Sequence, residues 1–228
     1  MENSTKCTSS PSSTLTNSVD PAKDAAQNLA HQSKEAVIEM VKQNGEALQC
    51  ASAALRSDRE VVLAAVRQNG RALLFATETL KDDKEVVTAA VKQSGMALQY
   101  ASEQLRGDSE VVMEAVKQDS RALCFATQTL KGDKKVVLAA VRQNGLALGF
   151  ASAKLKGDRE IVMEAVQLDG RALAYAATAL KSDREVVMKA VNQNGRAFWL
   201  AAAELQGDRA FVLEAVNQNP NLWLLLNP

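Results

Sequence analysis

Apolar and polar residues follow one pattern in this chain, and the pattern returns every 25 residues from Ser33 to the last residue without insertion or deletion. The units open at Ser33, Asp58, Asp83, Asp108, Asp133, Asp158, Asp183 and Asp208, giving seven complete units and a truncated eighth. With the opening residue as position 1, positions 4, 5, 8 and 9 (Val61, Val62, Ala65 and Val66) fall on one helical stripe. Positions 15, 16, 19 and 23 (Ala72, Leu73, Ala76 and Leu80), joined by position 18 (Phe75), form a second. Two short helices per unit are expected, and the whole reads as an all-α solenoid of eight helix-turn-helix repeats.

The helix ends follow from residue chemistry. Position 1 is Asp in seven units and Ser in one, acceptors that satisfy the free amides of a helix start, and Glu at position 3 suits the same end electrostatically. Position 12 is Asn44, Asn69, Ser94, Asp119, Asn144, Asp169, Asn194 and Asn219, again N-cap residue types. Asn-Gly normally suggests a left-handed glycine closing a helix. Ser120 and Pro220 hold the glycine position in two units, however, and a proline ring fixes φ near about −65°. Position 12 is therefore read as the N-cap of the second helix and position 13 as its first residue. That helix is expected to reach position 24, whose Lys or Arg suits a C-terminus, with Gly107, Gly132, Gly157 or Gly207 as the stop.

A lone unit should not fold. It offers about six large apolar side chains worth roughly 1.5–3 kcal/mol each when buried, against roughly 1–2 kcal/mol of backbone entropy per residue. Stacked neighbours make up the deficit, and alanine at positions 15 and 19 in all seven complete units lets helices approach closely. The array proper is residues 33–228. Before it, residues 1–19 are about half serine and threonine and read as a disordered tail, while residues 20–32, opened by Asp20 and Pro21, are expected to form a capping helix. A slower period of 50 residues overlies the first. Thr77 and Thr127 alternate with Ser52, Ser102 and Ser152, and Arg71, Arg121 and Arg171 alternate with Glu46, Met96 and Leu146.

The string Val-Val-x-x-Ala-Val-x-Gln-Asn-Gly-x-Ala-Leu-x-Phe-Ala-Ser, as it stands from Val136 to Ser152, resembles the repeats grouped as domain of unknown function 4116. The resemblance extends over residues 33–228 and implies a helical repeat with no assigned activity and no catalytic residues. Departures are local: Ser33 at the first cap, Ser120 and Pro220 in place of glycine, and Leu168 in place of glutamine.

Composition narrows the function classes. The 27 basic and 27 acidic residues balance, so no bulk charge points to nucleic acid or membrane. Cys7, Cys50 and Cys124 are odd in number and share no unit position, which disfavours a disulfide framework or metal cluster. No secretory leader or membrane-spanning stretch is visible, and a cytoplasmic protein is expected. The single histidine, His31, lies outside the repeats, with no nucleophile–base pair and no phosphate loop. The chain reads as non-catalytic, without cofactor or metal.

Several repeated positions could carry recognition. Position 11 is glutamine in Gln43, Gln68, Gln93, Gln118, Gln143, Gln193 and Gln218, a ladder that could bond the edge of a peptide or read bases, or could satisfy backbone groups at the turn. Position 10 supplies Lys42, Arg67, Lys92, Lys117 and Arg142, a basic ridge that Arg71, Arg121 and Arg171 extend. Position 17 varies most, ending in Trp199 and Leu224. At the C-terminus Trp223 and Leu225 either fold back as a cap or mediate an end-to-end homodimer. The expected function is a scaffold for a protein or peptide. The alternatives are a nucleic-acid-binding array using the position-10 ridge, and a structural spacer.

Overall fold

A computed structural model describes residues 33–226; the Ser/Thr-rich segment 1–19 and the helix expected over 20–32 lie outside the described residues. Each unit opens with a ten-residue α-helix, in order α1 Lys34–Gln43, α2 Arg59–Gln68, α3 Lys84–Gln93, α4 Ser109–Gln118, α5 Lys134–Gln143, α6 Arg159–Leu168, α7 Arg184–Gln193 and α8 Arg209–Gln218. A final helix, α9, spans Asn221–Leu226. Each long helix packs against the next, so the fold is a stack of sequential units with no strand among the described residues.

Capping residues act where the sequence places them. The Asp58 carboxylate accepts from the amides of Glu60 at 3.0 Å and Val61 at 3.3 Å, starting α2. Asn69 closes it: its amide donates to the Ala65 carbonyl at 2.9 Å. The same residue, extended at φ −146° and ψ 110°, turns its side chain to the Arg71 amide at 3.0 Å. One residue thus ends one helix and starts the next segment, without a left-handed glycine.

The second helix of the unit is divided. Gly70–Phe75 forms a 3-10 helix, Ala76 and Thr77 are extended, and Glu78–Lys81 makes a separate four-residue α-helix. The break frees the position-20 amide, which donates to the position-24 carbonyl of the preceding unit: Ser102 to Lys81 at 2.9 Å, Thr127 to Arg106 at 3.0 Å, Ser152 to Lys131 at 2.8 Å. A continuous helix would spend that donor internally. Ser102 also caps the short helix, its hydroxyl accepting from the Leu105 amide at 3.2 Å. Thr77 and Thr127 make no such cap, so the Ser/Thr alternation marks two versions of this junction. The glycine stop is also conformationally ordinary. Gly107 sits at φ −101° and ψ −3°, right-handed like Ser57 and Asp82 at the same position.

Between units the core is continuous. Val61, Val62, Ala65 and Val66 from α2 and Ala72 and Leu73 from the following 3-10 helix are fully buried, and their counterparts repeat this along the array. Position 18 lies at the core's margin: Phe75, Tyr100 and Phe125 are half-buried against it, while Phe150 and Tyr175 are 36% and 44% exposed. Glycine at position 13 answers to close approach. A β-carbon on Gly70 would stand 2.4 Å from the Ala90 carbonyl oxygen, and one on Gly95 would stand 2.3 Å from that of Ala115. At the C-terminal end α9 folds back on the segment Gly195–Leu200 with Leu222 fully buried, and the Asn219 side chain donates through Nδ2 to the Val191 carbonyl at 2.7 Å.

Candidate binding surface

The glutamine ladder lies at the seams between units. The Gln68 side chain accepts from the Gly45 amide at 2.7 Å and donates to the Gln43 carbonyl at 3.1 Å, holding both ends of the preceding turn. Gln143 repeats this on the Ser120 amide (2.5 Å) and Lys117 carbonyl (2.8 Å), and Gln193 on the Gly170 amide (2.6 Å) and Leu168 carbonyl (3.2 Å). Gln93 makes the accepting half with Gly70 at 2.6 Å. Gln118 makes no such bond, Gln218 turns to Asn192, and Gln43 stands at the first unit. These carboxamides serve the stack, satisfying buried amides that follow the long helices.

A second seam is ionic. The position-2 cation of one unit meets the position-1 and position-3 carboxylates of the next: Lys34 with Asp58 (2.8 Å) and Glu60 (2.9 Å), Arg59 with Asp83 (2.8 Å) and Glu85 (2.5 Å). Lys84, Lys134 and Arg159 repeat the pattern, and Arg184 pairs with Asp208 while stacking over Phe211 at 5.2 Å. The cation's hydrogen bond, with the helix-start amides, holds Asp58, Asp83 and Asp108 below the usual carboxylate range. For Asp158 and Asp183 burial works upward, and the same hydrogen bonds outweigh it. The ladder is interrupted where α4 meets α5. There position 2 is Ser109, and position 3 of the next unit is Lys135 in place of glutamate.

Neighbouring carboxylates divide the basic ridge. Lys42 pairs with Glu39 at 2.6 Å, Lys117 with Glu114 at 3.8 Å, and Arg142 with Glu164 at 2.9 Å. Arg121 and Arg171 fold onto Asp119 and Asp169 of their own units, both at 2.7 Å, and Arg71 stands 3.9 Å from Glu46. Arg67 and Lys92 are left exposed with no ion-pair partner among the described residues.

Those two residues border a depression in a row of four that the sequence patterns did not single out. The row follows the long helices and is lined by residues at positions 2, 3, 6, 7, 10 and 11. Ile38, Leu63 and Ala64 line the first hollow, of about 420 Å³, and Thr88 and Ala89 the next, of about 760 Å³. Farther along, Met163 and Glu164 line one of about 660 Å³, and Met188 with Met163 one of about 440 Å³. One turn of helix separates position 6 from positions 2, 3 and 10, so the floor runs between the ion pairs of positions 2 and 3 and a position-10 margin that is basic as far as Arg142 and neutral beyond it. The available signal was the mostly apolar but varied position 6 (Ile38, Leu63, Thr88, Met113, Leu138, Met163, Met188 and Leu213), beside the strict valines at 5 and 9.

The remaining candidates lie elsewhere. Trp199, 53% exposed, stands edge-on to the buried Phe198 with ring centroids 5.3 Å apart, away from the row of hollows. Trp223 is 57% exposed on α9 beside the buried Leu222, and the Leu225 side chain lies outside those described. No helix among the described residues is long and apolar enough to cross a membrane.

Comparison with known proteins agrees with this geometry. No curated protein and no solved structure matches the chain. A family profile matches at residues 33–81, 83–131, 133–181, 158–206 and 183–226. Each match begins at a unit start and the first four cover two units each; those starting at 33, 83, 133 and 183 keep the 50-residue phase of the Ser/Thr and Arg alternation, and the one starting at 158 is offset by a unit. Together they span the described array, and the chain belongs to the family described as Domain of unknown function (DUF4116).

Proposed function

We propose that this repeat array is a non-catalytic scaffold whose long-helix face takes an extended segment of a protein partner. One observation carries the reading: the hollows recur at the same unit positions, each with a position-6 side chain on its floor beside the position-2 cation and position-3 glutamate. Such a floor suits side chains of an extended chain, and flexible Met113, Met163 and Met188 adapt to varied shapes. Most of the glutamines and most of the ridge cations already have partners within the array. That favours a peptide over a nucleic acid, whose phosphates would meet carboxylates along the same margin.

Selection from a displayed peptide library against the full chain tests this. Enriched peptides are expected to lose binding when the floor is filled by Ala89→Arg or Met163→Arg, and to keep it with Ala179→Arg on the opposite edge. Failure to enrich any peptide, or equal loss with Ala179→Arg, would refute the proposal.

A further inference from the structure

Three features coincide in units two and three of the groove. Position 7, glutamate at Glu39, Glu114, Glu164 and Glu214, is alanine here at Ala64 and Ala89, as it is at Ala139, and lysine at Lys189. Position 10 is cationic at Arg67 and Lys92, and these are the two ridge cations without a carboxylate partner among the described residues. Position 6 is Thr88, the one hydroxyl in a column otherwise made of Ile, Leu and Met. All three features meet in the 760 Å³ hollow, which Arg67, Thr88, Ala89 and Lys92 line together. Its other charged residues are committed elsewhere: Lys84 to Asp108 and Glu110 ahead, Glu85 to Arg59 behind.

Resting on the groove reading above, we infer that this hollow is an acidic-segment site. It takes two Asp or Glu side chains of an extended partner segment, one against Arg67 and one against Lys92, with Thr88 donating to either. Alanine stands at position 7 of both units, and neither Arg67 nor Lys92 has a carboxylate partner among the described residues, so an incoming carboxylate displaces none. Arg67 and Lys92 are one unit apart, roughly 8–10 Å at ordinary helix-packing distances. An extended polyproline II segment advances about 3.1 Å per residue with three residues per turn, so carboxylates three residues apart lie on one face and match that interval. The occupant is a protein segment rather than a polyphosphate because Glu60 and Glu85 stand close by in the same groove. They would repel a continuous run of phosphates, while leaving room for basic or neutral residues of a peptide between its acids.

Fluorescence anisotropy on the full chain gives the test, with four labelled probes: a flexible peptide carrying two glutamates three residues apart, the same peptide with adjacent glutamates, its lysine counterpart, and a short single-stranded RNA. The spaced acidic peptide is expected to bind tightest. R67E/K92E should weaken it by about tenfold or more and improve binding of the lysine peptide. Both positions are exposed, so circular dichroism should show an unchanged fold. Ala179→Arg on the opposite edge should leave this affinity as it was. Equal binding of the acidic peptide to wild type and R67E/K92E overturns the inference, as does RNA binding tighter than any peptide. If library-selected peptides occupy the floor but ignore R67E/K92E, the acidic site falls and the groove reading stands. If no peptide from either source binds, both fall.

Discussion

Leu168 stands where four other units place a glutamine against the preceding turn, so restoring the amide should strengthen the stack. In wild type the Gly145 amide is buried and has no side-chain acceptor, whereas the amides of Gly45, Gly70, Ser120 and Gly170 each donate to a glutamine at 2.5–2.7 Å. An unsatisfied buried amide costs roughly 1–3 kcal/mol, and a second net hydrogen bond, to the Gln143 carbonyl, adds about 1 kcal/mol. Against this, glutamine loses about 1 kcal/mol more rotamer entropy than leucine. Leu168 is 47% exposed, so removing it forfeits about 1 kcal/mol of apolar burial. Leu168→Gln should therefore stabilise the chain by about 1 kcal/mol, or about 2–4 °C in melting temperature for an array of this size. Thermal denaturation reads the shift, and amide hydrogen exchange locates it, because Gly145 protection should rise toward that of Gly70 and Gly170. An unchanged melting temperature together with unchanged Gly145 exchange would refute the clamp as a stabilising element.

Three further outcomes are expected. Gly95→Ala, whose β-carbon would meet the Ala115 carbonyl at 2.3 Å, should cost about 1–3 kcal/mol in chemical denaturation, while Gly107→Ala, with its nearest atom at 3.3 Å and an ordinary backbone, should be neutral or mildly stabilising. The double change Ser109→Lys with Lys135→Glu rebuilds the interrupted ion pairs between α4 and α5, and should add about 0.5 kcal/mol that neither single change supplies, measured as a double-mutant cycle. The capping aspartates Asp58, Asp83, Asp108, Asp158, Asp183 and Asp208 titrate lower in the folded chain than in the unfolded one. Their stabilisation is therefore complete above about pH 4 and is lost as pH falls through their folded values, so the melting temperature should hold to about pH 5 and drop steeply below pH 4. The raised Lys34 and Lys84 act in the opposite sense, losing their contribution as pH climbs past about 10.4.

Period, unit boundaries, both sets of N-caps and most of the core were legible because each depends on local chemistry repeated eight times. The divided second helix was not. Its cause is a hydrogen bond from position 20 to the preceding unit, and the apolar spacing at 15, 16, 19 and 23 fits one helix as well as two short ones. The Ser/Thr at position 20 was the signal, since these residues favour caps over helix interiors. Glycine at position 13 was correctly denied a left-handed role by Ser120 and Pro220, but its reason, the neighbouring Ala carbonyl, belongs to the next unit. The candidate site divided similarly. Repetition drew attention to glutamine and to the position-10 cations, yet Gln68, Gln143 and Gln193 proved to hold the seam. Arg67 and Lys92 stood apart once the carboxylates of adjoining helices could be placed, and sequence spacing carries no record of which helices adjoin.

The claim that the long-helix face is the binding surface is tested most directly by mapping a library-selected peptide onto the full chain by NMR. Chemical-shift changes are expected at positions 3, 6, 7 and 10 of the long helices, centred on Thr88 and Ala89 when the peptide is acidic. Changes confined to the opposite edge, around Trp199 or the short helices, would contradict the account.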